Sequence, residues 1–364
     1  MIRGAVLRTQ GAPTSIEPLR LAEPRTGEVR VRMLASGICH SDLHIRDGDW
    51  IRPTPMVLGH EGAGIVEAIG LGVRTLSPGQ PVALSWIIPC GKCIACAAGH
   101  PWACSASPSS LHALSDGATS VTDAGGNPVH TYRAIGTMAE SIGVPEQAAI
   151  ALPEGVRPGV AALIGCCVST GVGAVLKTAE VPTGATVAVI GLGGVGLSCV
   201  MGAVLAGAAR IIAVDRIPAK LAVALELGAT EVLLVDEGAS DTVESIREIT
   251  GGGPDFTFET VGRVTTAQTA IDAMPSGGTA VIVGIPAPGA LASIQIDRLV
   301  EGGRRILGSK YGSAQPPIDF ARYARLHLAG RLPVERLIDR LRAVEGLRQV
   351  VAFDHAVAAE GTWI

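Results

Sequence analysis

The stretch VAVIGLGGVGLS, residues 187 to 198, limits the possible folds more than any other part of the chain. An apolar β-type run passes into Gly191, Gly193 and Gly196 in G-x-G-x-x-G spacing, then into an apolar helical pattern. Glycines so placed permit a tight turn and bring a pyrophosphate close to a helix N-terminus, whose free N–H groups and dipole attract anions. The next β-type run, RIIAVD, ends in Asp215, 19 residues past Gly196. A carboxylate there can bond both ribose hydroxyls of NAD and repel the 2′-phosphate of NADP. Arg216 beside it keeps NADP open as the alternative, and a purely structural glycine turn is the competing reading of the loop. Residues 184 to 209 carry no charge and are long enough for a membrane span. The glycine cluster and the charges that follow fit a buried strand, a turn and a buried helix better.

Strand-like and helical runs keep alternating from about 168 to 310, through EVLLVD, FTFETVG and TAVIVGI, the pattern of βαβ units around a parallel sheet. Residues 1 to about 165 instead hold short β-type runs broken by Gly and Pro, such as EVRVRMLASGI, GAGIVEAIG and QPVALSWII. After 310 one helix stands out, DFARYARLHLAGR, with too little else to form its own core. The expected fold class is α/β: a doubly wound nucleotide domain, 168–310, inserted in a β-rich domain made of 1–167 with 311–364. With 364 residues, 48% of them hydrophobic, the chain can bury two such cores. The Gly/Ser/Asp-rich stretch 105–128 reads as a long surface loop.

Charge and composition narrow the partners. Lys and Arg number 29 against 33 Asp and Glu, and no basic run is long enough for a nucleic-acid footprint. The first 25 residues alternate apolar and charged side chains without the apolar core of a signal peptide. A cytoplasmic location and no membrane partner are expected, and there clustered cysteines bind metal more often than they pair.

Cys90, Cys93, Cys96 and Cys104 follow a C-x2-C-x2-C-x7-C spacing, with which four thiolates can close a tetrahedron around one zinc ion. Such a site has no open corner and little Lewis acidity, so it is structural, and it could contribute about 10 kcal/mol of apparent binding energy. A redox or disulfide cluster is the alternative. Chemistry is expected instead at Cys39 in SGICHSDLH, His60 with Glu61 in LGHEGAGIVEAIG, and Cys166 in LIGCCVSTGVGA, each beside glycines at a strand end. Two thiolates and one imidazole neutralise a zinc ion and leave its fourth position for water or substrate. Taken singly, each is as readily a core residue.

These residues resemble the zinc-dependent medium-chain dehydrogenase/reductase family, specifically its long-form alcohol dehydrogenases, over nearly the whole chain. The family's G-H-E-x2-G-x5-G signature is matched by Gly59, His60, Glu61, Gly64 and Gly70, and its four-cysteine lobe by Cys90 to Cys104. The third catalytic ligand of the family precedes x-x-S-T-G, which selects Cys166 over Cys167, because Ser169, Thr170 and Gly171 follow it. Cys199 reads as core. The resemblance implies a Rossmann domain inserted in a GroES-like catalytic domain, two zinc ions per chain, and NAD. It implies a proton relay of Ser41 and His44, with Asp42 orienting His60 and Glu61 behind the zinc. It also implies pyrophosphate contacts from His40 and Arg348, an adenosine-ribose contact from Lys220, and nicotinamide packing by Val195, Thr170 and Ile285. Trp50 and Trp86 match pocket-lining positions. In a chain only 3% aromatic they point to an apolar or aromatic primary alcohol, with ordinary packing as the alternative.

The chain departs from the pattern after Gly308, where it is about a dozen residues shorter than relatives before Arg348 and ends in a tail DHAVAAEGTWI. Relatives that oxidise glutathione adducts of formaldehyde carry Arg four residues after the last lobe cysteine, where this chain has Pro108. The expected activity is hydride transfer between a primary alcohol or aldehyde and NAD(H). A polyol or low-molecular-weight-thiol adduct dehydrogenase, or an inactive zinc-lobed relative, is the alternative. The 61 residues between Cys104 and Cys166 match the long form, whose members are often homodimers, whereas shorter relatives are often homotetramers. The only other partner expected is the small-molecule alcohol or aldehyde.

Overall fold

A computed structural model describes residues 1–114, 116–236, 241–338, 340–342 and 350–352. The chain forms two compact units, Met1–Cys167 with the chain from Gln315 onward, and Val168–Ala314.

The first unit is built on strands that pair antiparallel except for the parallel pair β4–β8: β1 (Ile2–Leu7), β2 (Ser15–Leu21), β3 (Glu28–Ile38), β4 (Met56–Val57), β5 (Glu61–Ile69), β6 (Pro81–Leu84), β7 (Val121–Asp123), β8 (Pro128–Thr131), β9 (Ser141–Pro145) and β10 (Ala149–Ala151). β1, β2, β7, β8 and β4 close a small barrel, while β10, β6, β5 and β3 form a sheet that β9 joins along β3. In β3 the alternation seen in the sequence is physical. Val29, Val31 and Met33 are buried, and Arg30 and Arg32 between them are half-buried, as a pleat with one core face requires. β3 and β5 run antiparallel with Gly37 opposite Glu61, which brings the end of β3 to the start of β5. A core of Leu7, Ile38, Ile45, Trp50, Met56, Leu58 and Tyr132 packs nearby.

The stretch 105–128 is not the surface loop its composition suggests. It contains a helical turn, Pro108–Ser110, and the barrel strand β7, and Ser107, Ser109, His112, Ala113 and Leu114 are buried. Its hydroxyls satisfy one another and the backbone: Ser107 Oγ lies 2.8 Å from Ser109 Oγ and accepts from Ile88 N at 3.3 Å. Small polar side chains with local partners can be buried at little cost.

The second unit is a parallel sheet of β11 (Thr186–Ile190), β12 (Arg210–Asp215), β13 (Glu231–Leu234), β14 (Phe256–Glu259), β15 (Thr279–Ile282) and β16 (Arg305–Gly308), in the order β13-β12-β11-β14-β15-β16. This is the doubly wound order that reverses at its first strand, the Rossmann arrangement. Val187, Ala188 and Val189 are wholly buried, which explains the uncharged run: both faces of the central strand are covered. The suspect stretch 184–209 is thus β11, a turn and the helix Gly194–Ala206. The helix Pro158–Thr178 is also long and apolar enough to cross a membrane, but 94% of its most apolar window is buried in protein. Back in the first unit, the helix Pro316–Leu328 is followed by β17 (Arg340–Arg342) and β18 (Val350–Ala352), and β18 extends the sheet parallel to β3.

Candidate active site

The register of β3 against β5 gathers ligands that are far apart in sequence. Cys39 leaves β3 and stands at the N-terminus of the helix His40–Asp47, and His60 immediately precedes β5. Cys166 arrives on a π-helical turn, Ile164–Val168, a local widening of the helix that often marks functional sites. One ligand atom from each of Cys39, His60 and Cys166 lies within 4.8 Å of the others. Two sulfurs and an imidazole this close can take three corners of a tetrahedron, and they are the borderline-soft donors that zinc prefers, so the residues fit zinc.

Asp42, wholly buried, ties the cluster together. Its Oδ2 accepts from Cys39 N at 3.1 Å, its Oδ1 accepts from Gly59 N at 2.9 Å, and the same Oδ1 faces His60 Nδ1 at 3.4 Å. One carboxylate therefore fixes both ligand-bearing turns and leaves Nε2 as the free ring nitrogen of His60. Glu61 Oε1 accepts from Cys167 N at 3.1 Å, and a Cβ on Gly37 would stand 2.0 Å from Glu61 Oε2, so only glycine admits that carboxylate behind the cluster. Burial, then the Cys39 charge, push Glu61 up to about 8. Cys39 is held well below the ordinary thiol range, first by its pairing with Cys166 and then, against burial, by the His60 charge. Cys166 is pushed up by the same pairing and by burial. Cys167 turns its Sγ to the Leu163 carbonyl at 3.7 Å, away from a ligand role, and Cys199 is buried core.

Cys90, Cys93, Cys96 and Cys104 form a second cluster whose sulfurs also lie within 4.8 Å of one another. The lobe folds over a helical turn, Ile94–Ala97, and a tighter one, Pro101–Ala103. Backbone N–H groups of Lys92 and Cys93 lower Cys90 to about 6, favouring the thiolate that a metal binds. Four sulfurs fit a closed zinc site.

Ser41 and His44 lie on the helix His40–Asp47, and Ser41 is half-buried. His44 stacks on Trp50 at 4.7 Å, meets His40 edge-on at 4.6 Å, and its Nδ1 lies 2.7 Å from Asp49 Oδ2. In the second unit, Gly191, Gly193 and Gly196 form the turn before the helix Gly194–Ala206. A Cβ on Gly196 would sit 1.8 Å from Gly191 O, whereas one on Gly193 would meet nothing within 4 Å, an open side that suits a phosphate. Asp215 ends β12. Its Oδ2 accepts from Leu192 N at 2.7 Å and its Oδ1 from Ile217 N at 2.9 Å, and Lys220 Nζ is 3.9 Å away. Val195 is half-buried in the first helical turn, Thr170 is buried and Ile285 is exposed. Arg348 lies outside the described residues.

Sequence reasoning missed Asp49 behind His44, and it missed Tyr132, whose ring stands edge-on to His60 at 5.1 Å. Trp86 approaches the same histidine at 6.5 Å. No motif carries Asp49 or Tyr132. Only the rarity of tyrosine, three in the chain, singles the latter out.

A soft-donor metal triad in one unit and a glycine-loop nucleotide sheet in the other define a metal- and nicotinamide-type oxidoreductase. The chain matches the alcohol dehydrogenase GroES-like domain over residues 25–154 and the zinc-binding dehydrogenase domain over 194–328. It is similar to an alcohol dehydrogenase zinc-binding domain protein from Burkholderia ambifaria, with 40% identity, a TM-score of 0.90, and 97% of this chain and 99% of that one covered. The benzyl alcohol dehydrogenase of Acinetobacter calcoaceticus is 34% identical, with a TM-score of 0.86 and coverage of 92% and 91%. A zinc-binding dehydrogenase from Sinorhizobium meliloti, bound to NADP, is 28% identical, with a TM-score of 0.78 and coverage of 97% and 99%. The chain belongs to the zinc-dependent alcohol dehydrogenases of the medium-chain dehydrogenase/reductase family.

Proposed function

We propose that the protein transfers hydride between primary alcohols with an aromatic body and NAD(H), using one catalytic and one structural zinc ion per chain. The observation that carries this reading is the triad of Cys39, His60 and Cys166 with Asp42 behind it. The Trp86 and Tyr132 rings beside His60 and the likeness to a benzyl alcohol dehydrogenase support an aromatic substrate. Zinc held by Cys39, His60 and Cys166 would supply Lewis acidity toward a substrate oxygen, and a nicotinamide held at the Gly191–Gly196 turn would supply the hydride acceptor. The residues do the rest. Asp42 holds His60 in its ligating tautomer, Ser41 receives the hydroxyl proton, and His44, backed by Asp49, passes it to solvent. Asp215 favours NAD, because a 2′-phosphate would meet its carboxylate. The reading takes the first unit as catalytic, the second as cofactor-binding, and the enzyme as a cytoplasmic homodimer.

The test is a panel of benzyl and small aliphatic alcohols with NAD+ and NADP+, run on the wild type and His60→Ala. We expect benzyl alcohol and NAD+ to be preferred. His60→Ala should lose roughly a thousandfold in kcat/KM, about 4 kcal/mol of transition-state stabilisation. A preference for ethanol would overturn the aromatic substrate, a preference for NADP+ the role of Asp215, and no turnover of any alcohol the activity itself.

A further inference from the structure

Arg133 follows Tyr132 directly and is built into the wall of the metal site in an unusual way. It and its neighbour Ala134 hold left-handed backbone conformations, φ 55° and 65°, which cost side-chain-bearing residues roughly 1–2 kcal/mol each. The result of that strain is a direction. The guanidinium carbon lies 4.8 Å from the centroid of the Trp86 ring and 5.5 Å from that of Tyr132, the two aromatic rings that flank His60. Among the described residues no carboxylate pairs with Arg133, and its side chain has no hydrogen bond.

The side of the Tyr132 ring toward His112 carries cations, while Asp42 and Cys39 act on the same ring from the metal site. Buried His112 stacks on Tyr132 at 5.5 Å, and its Nδ1 accepts from Arg133 N at 3.2 Å, which helps fix the left-handed turn. Burial and then the charges of Arg133 and Arg52 hold His112 in its neutral form. Arg52 in turn lies 5.9 Å from the ring of Trp50. Tyr132 Oη and His130 Nδ1 are buried without a hydrogen-bond partner. In a chain of net charge −4, the rings beside His60 thus carry one arginine that, among the described residues, has no carboxylate partner, and a buried phenol with no hydrogen-bond partner. A guanidinium held over an aromatic face, with its N–H fork unspent, is arranged to receive a planar carboxylate in bidentate fashion while an aryl ring packs below.

We propose that the substrate is an aromatic alcohol or aldehyde bearing a carboxylate on the side of the ring remote from the reacting carbon, and that Arg133 is the residue that selects it. The inference rests on the aromatic-alcohol reading above and narrows it. Tyr132 and Trp86 each neighbour both His60 and the guanidinium, so on this proposal a substrate reacting at the metal site presents its carboxylate to Arg133 from the far end of its aryl ring.

The test compares 4-(hydroxymethyl)benzoate with benzyl alcohol on the zinc-loaded enzyme, in wild type, Arg133→Leu and Arg133→Lys. Calorimetric binding of 4-formylbenzoate and benzaldehyde is measured alongside. Wild type should favour the carboxylated alcohol by roughly tenfold or more in kcat/KM. Arg133→Leu should raise KM for that substrate by a similar factor more than for benzyl alcohol, erasing the preference between the two, and Arg133→Lys should recover part of the loss. Equal use of both alcohols by wild type, or an equal loss on both in Arg133→Leu, would overturn the proposal while leaving the aromatic-alcohol reading intact. If neither alcohol turns over, that reading falls, and calorimetry decides this one. Arg133-dependent binding of 4-formylbenzoate sustains it, and binding indifferent to Arg133 overturns it.

Discussion

His112 offers a measurement of the buried wall that does not depend on catalysis. The residue is buried with φ 54°, and burial, reinforced by the charges of Arg133, Arg52 and His130, lowers it from 6.5 to about 3. In the unfolded chain it takes a proton near 6.5; in the folded protein it stays neutral until about 3. The unfolded state therefore binds more protons between those values, and the stability His112 contributes is fully present above about 6.5 and lost as pH falls toward 3. Between pH 7.5 and pH 5.0 the loss comes to about 2 kcal/mol, from one and a half pKa units at 1.36 kcal/mol each. The variant is His112→Asn, which cannot titrate, tolerates the left-handed backbone and keeps an acceptor. Trp50, Trp86 and Trp102 all lie in the first unit, so their fluorescence during urea unfolding follows that unit. Wild type should lose about 2 kcal/mol more than His112→Asn between the two pH values, whatever the constant cost of the truncation or of zinc-ligand protonation common to both. Parallel losses would refute the account and mean that water or a rearrangement relieves His112 of its burial.

Two further outcomes concern the clusters. Gly37→Ala drives a methyl to 2.0 Å from Glu61 Oε2; the displaced carboxylate leaves Cys167 N unsatisfied, so the protein should lose roughly 1–3 kcal/mol of stability and much of its activity. Thermal melts and steady-state assays check this, and an unaltered enzyme would sink the packing argument. Cys104→Ser should lower zinc from two ions per chain to one and reduce the melting temperature. His60→Ala should also leave one ion but keep the lobe, and metal analysis showing the same ion lost from both variants would refute two independent sites.

What the sequence made legible was whatever depends on spacing along one element. Gly191, Gly193 and Gly196 sit on a single turn and the four lobe cysteines in a single loop, so distances in sequence convert directly into distances in space. Cys39, His60 and Cys166 stand out in the sequence only as zinc-type donors beside glycines, with the family resemblance needed to prefer Cys166 to Cys167, because their meeting depends on the antiparallel register that sets Gly37 against Glu61 and on a π-helical turn that no periodicity announces. The stretch 105–128 was misread for a related reason. Ser107 and Ser109 look like loop residues by composition, and their hydrogen bonds to each other and to Ile88 N allow them into the interior.

Arg133 marks the limit of such reading. In the sequence it is one charge among many in VHTYRAIG, and nothing there separates it from the paired surface arginines Arg3 and Arg25. What sets it apart is a conflict between levels: two consecutive residues with side chains adopt a backbone suited to glycine, and the cation they aim meets no anion among the described residues. A chain that merely needed a turn after β8 could have used glycine without strain. An arginine held at that cost, over rings beside a metal ligand and with no carboxylate partner among the described residues, is accounted for on our proposal by a carboxylate that enters with the substrate.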